Sequence, residues 1–179
     1  MFRAITALIL ASASAQSPST LTSSVPWWER VTVTMTDDGT AQSCRYESSW
    51  QPNAAHDCTV SGGEEATAKR TGISSSKDQV TRITFERRFS PNVKPEMSAL
   101  QTGELLLGGQ TMALAIDGQG AVKNCQVVAT SGSVTPQYGC ADARAERFEA
   151  SAGTATHAQA QEREGYMTIL VYGHSEHVV

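Results

Sequence analysis

Four cysteines in two close pairs constrain this 179-residue chain more than any other feature. Cys44 precedes Cys58 by 14 positions, and Cys125 precedes Cys140 by 15. Each pair opens in a similar phrase. Gly39 leads Cys44 by five positions in "DDGTAQSC", and Gly120 leads Cys125 by five in "DGQGAVKNC". Whether such thiols bond, ligate or react depends on the compartment, and the N-terminus speaks to that. "MFRAITALILASASAQS" has Arg3, an apolar run Ala4–Ala11 broken by Thr6, and small residues at Ala13–Ala15. That order is a secretory signal, with cleavage expected after Ala15. The run is far shorter than the roughly 20 residues that span a bilayer, so no membrane-spanning segment is expected after cleavage. The expected location is periplasmic or secreted.

An even cysteine count in an exported chain implies disulfides, and four cysteines allow three pairings. Sequential bonds, Cys44–Cys58 and Cys125–Cys140, are the simplest choice. Closing a loop of this size is worth about 3 kcal/mol in the chain-entropy model. No C-x-x-C motif is present, and no metal-type spacing appears.

Hydrophobic periodicity places the rest. Residues 16–26 are Ser/Thr-rich and read as a flexible lead. Val31, Val33 and Met35 alternate with threonines, the period of a half-buried strand. A turn at Asp37–Gly39 then leads to a return strand, Thr40–Tyr46. Pro52–Cys58 reads as one helical turn, Ser61–Ser76 as a polar loop and Val80–Phe89 as a strand. The prolines of residues 90–96 mark a linker. Met97–Gly103 reads as a short helix and Glu104–Ile116 as a strand. The Asp117–Gly120 turn and a return strand over Ala121–Thr130 follow, with Val122 out of phase as at a bulge. A helix is expected from an N-cap at Thr135 and Pro136 at its first position. Its inner stripe would be Cys140, Ala141, Arg144, Ala145 and Phe148. Ser151–Gly165 reads as a loop, Tyr166–Tyr172 as a strand and residues 174–179 as a tail. The stretches 27–89 and 97–173 share this order at an offset of 81 residues, the mark of an internal repeat. The expected fold class is α+β: two small units of antiparallel strands, each with one disulfide, and a helix in the second.

Read from Thr111 to Tyr172, the second stretch resembles the C-terminal domain of TonB-type energy transducers, in a cysteine-containing branch. The resemblance rests on "MALAIDGQGAV", "VVATSG" at Val127–Gly132, "RFEA" at Arg147–Ala150 and "YMTILVY", taken in order. The first stretch matches only through its strand, turn and cysteine. The usual Tyr-Pro before the first strand is missing, and the Leu-Asp after Ser-Ser-Gly is replaced. The resemblance implies a non-enzymatic envelope protein that binds an extended peptide, such as a segment of an outer-membrane receptor, by strand addition. The matching edge is the closing strand, with Tyr166, Thr168, Ile169, Val171 and Tyr172 as its residues. One alternative is a degenerate transducer working with a separate motor partner. Another is a secreted glycan-binding protein or small hydrolase using Trp27, Trp28 and Trp50.

The remaining chemistry is thin. The formal charge is −4 with no basic stripe, so no nucleic acid is expected. Gly118 and Gly120 lack the third glycine and following helix of a phosphate loop. His174 and His177 form an H-x-x-H pair in a polar tail, and His56 and His157 stand apart. No G-x-S-x-G phrase occurs. Asp37 and Asp38 are too few for calcium. No cofactor, metal or catalytic constellation is expected, and the repeated cysteine phrase reads as scaffold.

Overall fold

The computed structural model describes residues 20–36, 41–50, 55–58, 79–95, 102–150 and 162–176. The expected signal at 1–15, the Asp37–Gly39 turn, the Ser61–Ser76 loop, His157, His177 and most of the proposed Met97–Gly103 helix lie outside them. In chain order the elements are β1 (Trp27–Met35), β2 (Ala41–Ser48), β3 (His56–Asp57), β4 (Gln79–Pro91), β5 (Glu104–Ile116), β6 (Val122–Gly132), α1 (Cys140–Ala145) and β7 (Arg163–Glu176).

All seven strands lie in one sheet, in the order β3-β2-β1-β4-β7-β5-β6, and every pairing is antiparallel. This corrects the α+β expectation of two separate units with a helix as a main element. Helix is confined to six residues among those described. The two stretches are fused through β4 and β7, which pair from Gln79↔Glu176 to Pro91↔Gly165.

The strands are nevertheless connected alike in both stretches. A hairpin (β1–β2, β5–β6) is followed by a strand that pairs with the hairpin's first member (β4 on β1, β7 on β5). Val33 faces Cys44, and Leu114 faces Cys125, both residues displaced by the 81-residue offset. The centre of this pseudo-two-fold arrangement falls where Arg87 meets Ile169.

The core occupies one face. Trp27, Phe89, Met112, Leu114, Ile116, Val122, Cys125, Met167 and Ile169 come from the strands; Leu21, Ala143 and Phe148 cover them. Leu21 bridges Phe148, donating its N–H to the Arg147 carbonyl at 2.9 Å while its own carbonyl accepts from Glu149 at 2.7 Å. Residues 20–26 therefore do not form the flexible lead read from their Ser/Thr content; Leu21 is 4% exposed, and its burial offsets the cost of ordering its neighbours.

Two local expectations change. His56–Asp57 is a strand on β2 rather than part of a helical turn. The helix begins at Cys140 with Gly139 as its N-cap, not at Thr135. Residues 133–138 instead lie against the end of β5. The Ser133 and Val134 amides both donate to the Leu107 carbonyl at 2.9 Å, and the Gln110 side-chain amide donates to the Tyr138 carbonyl. Gly108 permits this approach, because a Cβ there would sit 1.7 Å from the Val134 carbonyl oxygen. The helix then buries Ala143, while Ala141, Arg144 and Ala145 are exposed; the expected stripe holds only at Cys140 and Phe148. Asp142 accepts from the Gly139 N–H at 2.7 Å.

Candidate functional site

Both disulfides form between the sequential cysteines, Cys44–Cys58 and Cys125–Cys140. Such bonds persist in an oxidising, extracytoplasmic environment. Among the described residues no helix is long and apolar enough to cross a membrane.

The repeated phrase builds a turn in the second hairpin. Gly120 takes φ +82°. The Asp117 carboxylate accepts from the Ala121 amide at 2.8 Å and from the Gln119 amide at 2.9 Å. Those amides, that of Ala121 foremost, and Lys123 hold the Asp117 carboxyl below its usual range. The register shift at Ala115/Ile116 leaves Val122 opposite Ile116 and inserts Lys123 as an extra residue, so the expected bulge is present.

The closing strand is not an edge. β7 pairs with β4 along one side and β5 along the other, so the backbone groups of Tyr166–Tyr172 are taken on both sides. This corrects the peptide-binding edge assigned to Tyr166, Thr168, Ile169, Val171 and Tyr172. Their side chains divide between the two faces. Ile169 joins the core and Val171 is buried. On the opposite face the Thr168 and Thr111 hydroxyls lie 3.2 Å apart. There the Tyr172 hydroxyl donates to Glu86 at 3.0 Å. Burial first, then the Glu86 carboxylate, push the Tyr172 phenol up to about 12. Tyr166 lines a shallow cleft of about 180 Å³ with Ala113, Ala115, Asn124 and Gln126.

The tryptophans do not form a common platform. Trp27 is buried, stacked on Phe89 at 5.8 Å and tilted against Trp50 at 6.3 Å. Trp28 falls on the other face of the sheet, beneath the Arg30 guanidinium at 4.4 Å.

A charge cluster that periodicity does not signal joins the two stretches. Arg87 pairs with Glu29 of β1 at 2.7 Å and with Glu146, just beyond α1. Its guanidinium stands 5.3 Å from the Trp27 ring and 5.1 Å from that of Tyr138. Burial pulls the Arg87 pKa down, but Glu29 and Glu146 outweigh it and hold the charge firmly in place. Tyr46 donates to the other Glu29 oxygen at 3.1 Å. On the far face Glu86, 1% exposed, is held by Arg88 and by Arg30 at 3.5 Å. These carboxylates are paired with arginines, an arrangement that locks the geometry of the cluster. Among the described residues no three of His, Cys, Asp or Glu gather as a metal site.

The open surface is β6. Among the described residues it pairs with β5 alone and ends the sheet. Residues 126–130 are all exposed, with Val127 at 43% and Val128 at 38%. The stretch from Asn124 to Gly132 carries no charge and no proline, two of the devices that usually blunt an edge, while a register shift opposite Thr111/Met112 leaves Val128 as an extra residue. At the opposite end of the sheet, β3 covers part of β2. Sequence reasoning missed β6 as the edge. The available signal was its polar composition beside the apolar run of β7, Tyr166–Tyr172, broken only by Thr168, since a central strand is buried on both faces. Compared with known proteins, the chain matches no family model, no curated protein and no solved structure.

Proposed function

We propose that this chain is a non-enzymatic binding protein of the periplasm or cell exterior, which takes an extended segment of a protein partner as an added strand on β6. The observation that carries this reading is the strand's one-sided pairing together with the exposure of Val127 and Val128. An unpaired edge offers a row of donors and acceptors to any extended chain, and alternate side chains supply selectivity. The motif order resembling the TonB C-terminal domain points to the same mode of binding, moved here from the closing strand to β6.

A photocrosslinking amino acid placed at Val128, with Thr32 on β1 as the control site, tests this in envelope preparations. Adducts are expected at Val128, mapping to one extended segment of a partner, and not at Thr32. Adducts at both sites alike, or at Thr32 alone, would overturn the reading.

A further inference from the structure

The first stretch shows in its own chain what an added strand on such an edge looks like. β3 lies antiparallel on β2 through Arg45↔Asp57 and Tyr46↔His56, and the Cys58 N–H then donates to the Cys44 carbonyl at 3.0 Å. Cys125 is the counterpart of Cys44, facing Leu114 as Cys44 faces Val33. Among the described residues its carbonyl receives no backbone N–H from outside the sheet. It meets only the Arg144 guanidinium of α1, at the long distance of 3.5 Å.

Arg144 is exposed and has no carboxylate in ion-pair reach among the described residues. The nearby acids are engaged: Asp142 with the Gly139 amide, Glu146 with Arg87 and Asp117 with Lys123 at 3.2 Å. Lys123, 66% exposed and paired with Asp117, lies at the same end of β6, so the uncompensated positive charge there is that of Arg144. The open edge is thus uncharged along its length and cationic at its N-terminal end.

Resting on the strand-addition reading, we infer that the partner segment runs antiparallel to β6 and carries a carboxylate on its C-terminal side. A backbone N–H of the segment takes the Cys125 carbonyl, as Cys58 takes that of Cys44. Arg144 is released to hold the carboxylate, whether a side chain or a chain end. Antiparallel pairing puts the later residues of the partner beside Cys125 and Lys123, and its β-branched residues beside Val127 and Val128. The ligand class is therefore a short neutral, β-branched segment followed by an acid.

The test uses three synthetic peptides: acetyl-Ser-Thr-Val-Thr-Val-Ser-Asp-amide, its Asn counterpart, and a version with the Asp moved to the first position. Affinities are measured calorimetrically on the disulfide-bonded protein. The Asp-last peptide is expected to bind about fivefold tighter than the other two, the size of one exposed ion pair. Arg144→Gln should erase that gap, and added salt should narrow it. Val127→Pro should abolish all three. Cys125 turns its carbonyl outward to Arg144, so Val127, two residues on, also turns outward, and proline there removes a donor the β5 ladder does not use. Equal binding of all three peptides, still lost in Val127→Pro, overturns the inference while strand addition stands. Binding by none overturns both. A dimer that Val127→Pro dissolves makes a second copy the occupant, and overturns the inference as well.

Discussion

At one end of the sheet the outer hairpin strand, β2, is covered by β3; at the other end its counterpart, β6, has no outer neighbour among the described residues. Both strands carry a cysteine at the same register, and both cysteines close loops of nearly equal length, with separations of 14 and 15. The difference lies in what the second cysteine belongs to. Cys58 follows an extended pair, so its bond draws backbone alongside β2. Cys140 opens a helix, so its bond draws chain over the face of the sheet. One tether protects an edge, and the other builds core and leaves an edge open. Equal covalent chemistry has unequal consequences because "CADARA" favours helix and its Ala143 finds a buried seat.

The comparison can be broken most severely at its centre. Arg87→Ala should cost about 3–5 kcal/mol, because Glu29 and Glu146 would lose the cation that compensates their burial. Urea melts would show it as a lowered midpoint. Removing the Cys125–Cys140 bond by double alanine substitution should cost about 2–5 kcal/mol. The Cys44–Cys58 double variant should lie nearer the lower limit, since Cys125 belongs to the core cluster and Cys44 does not. Hydrogen exchange should then separate the two, with β2 amides losing protection only in the Cys44–Cys58 variant.

Alkaline pH sharpens the contrast in a milder way. The Tyr172 phenol is raised to about 12 by burial and by Glu86, and Tyr46 is raised by burial and Glu29. A raised pKa means the unfolded chain gives up its proton first. This contribution is full below about pH 10, the ordinary tyrosine value, and is lost as pH climbs towards 12. Tyr172→Phe should flatten part of the fall in stability over that window, read from denaturant midpoints at each pH. The smallest effect on stability should come from Val127→Lys. An exposed edge residue changes folding by within about 0.5 kcal/mol, while a lysine on the edge discourages strand addition. Partner adducts at Val128 should fall at least tenfold, with the melting midpoint nearly unchanged.

What could be read in advance was local. The alternation of Val31, Val33 and Met35, the Asp117–Gly120 turn and the bulge after Val122 follow from residues within a few positions of one another. The cysteine pairing was legible because close spacing favours the nearest partner. What was hidden depended on distant contacts. The Thr135–Pro136 start reads as a helix cap in isolation, but β5 captures the flanking backbone groups of Ser133, Val134 and Tyr138 through Leu107 and Gln110. A hydrogen bond made elsewhere outweighs a propensity worth tenths of a kcal/mol. The insertion of β7 between β4 and β5 could not be deduced from periodicity, although its run from Met167 to Tyr172 is buried on both faces. The open edge was misplaced for that reason. An alternating pattern reports that a strand has two faces, and says nothing of how many neighbours lie beside it.

The seam between β4 and β7 has a further consequence, for assembly. Each disulfide lies wholly within one half of the sheet, Cys44–Cys58 among β1–β4 and Cys125–Cys140 in the half built on β5–β7, so neither of these covalent links crosses the seam. The chain passes between the halves only through the stretch joining Pro91 to Glu104. At high concentration, β4 of one molecule can meet β7 of another as readily as its own, giving interlocked pairs with every native hydrogen bond in place. Oxidation cannot edit such pairs, because their cysteines are already correctly joined. Dilution during refolding, rather than a thiol shuffling catalyst, is what should keep the halves of a single molecule together.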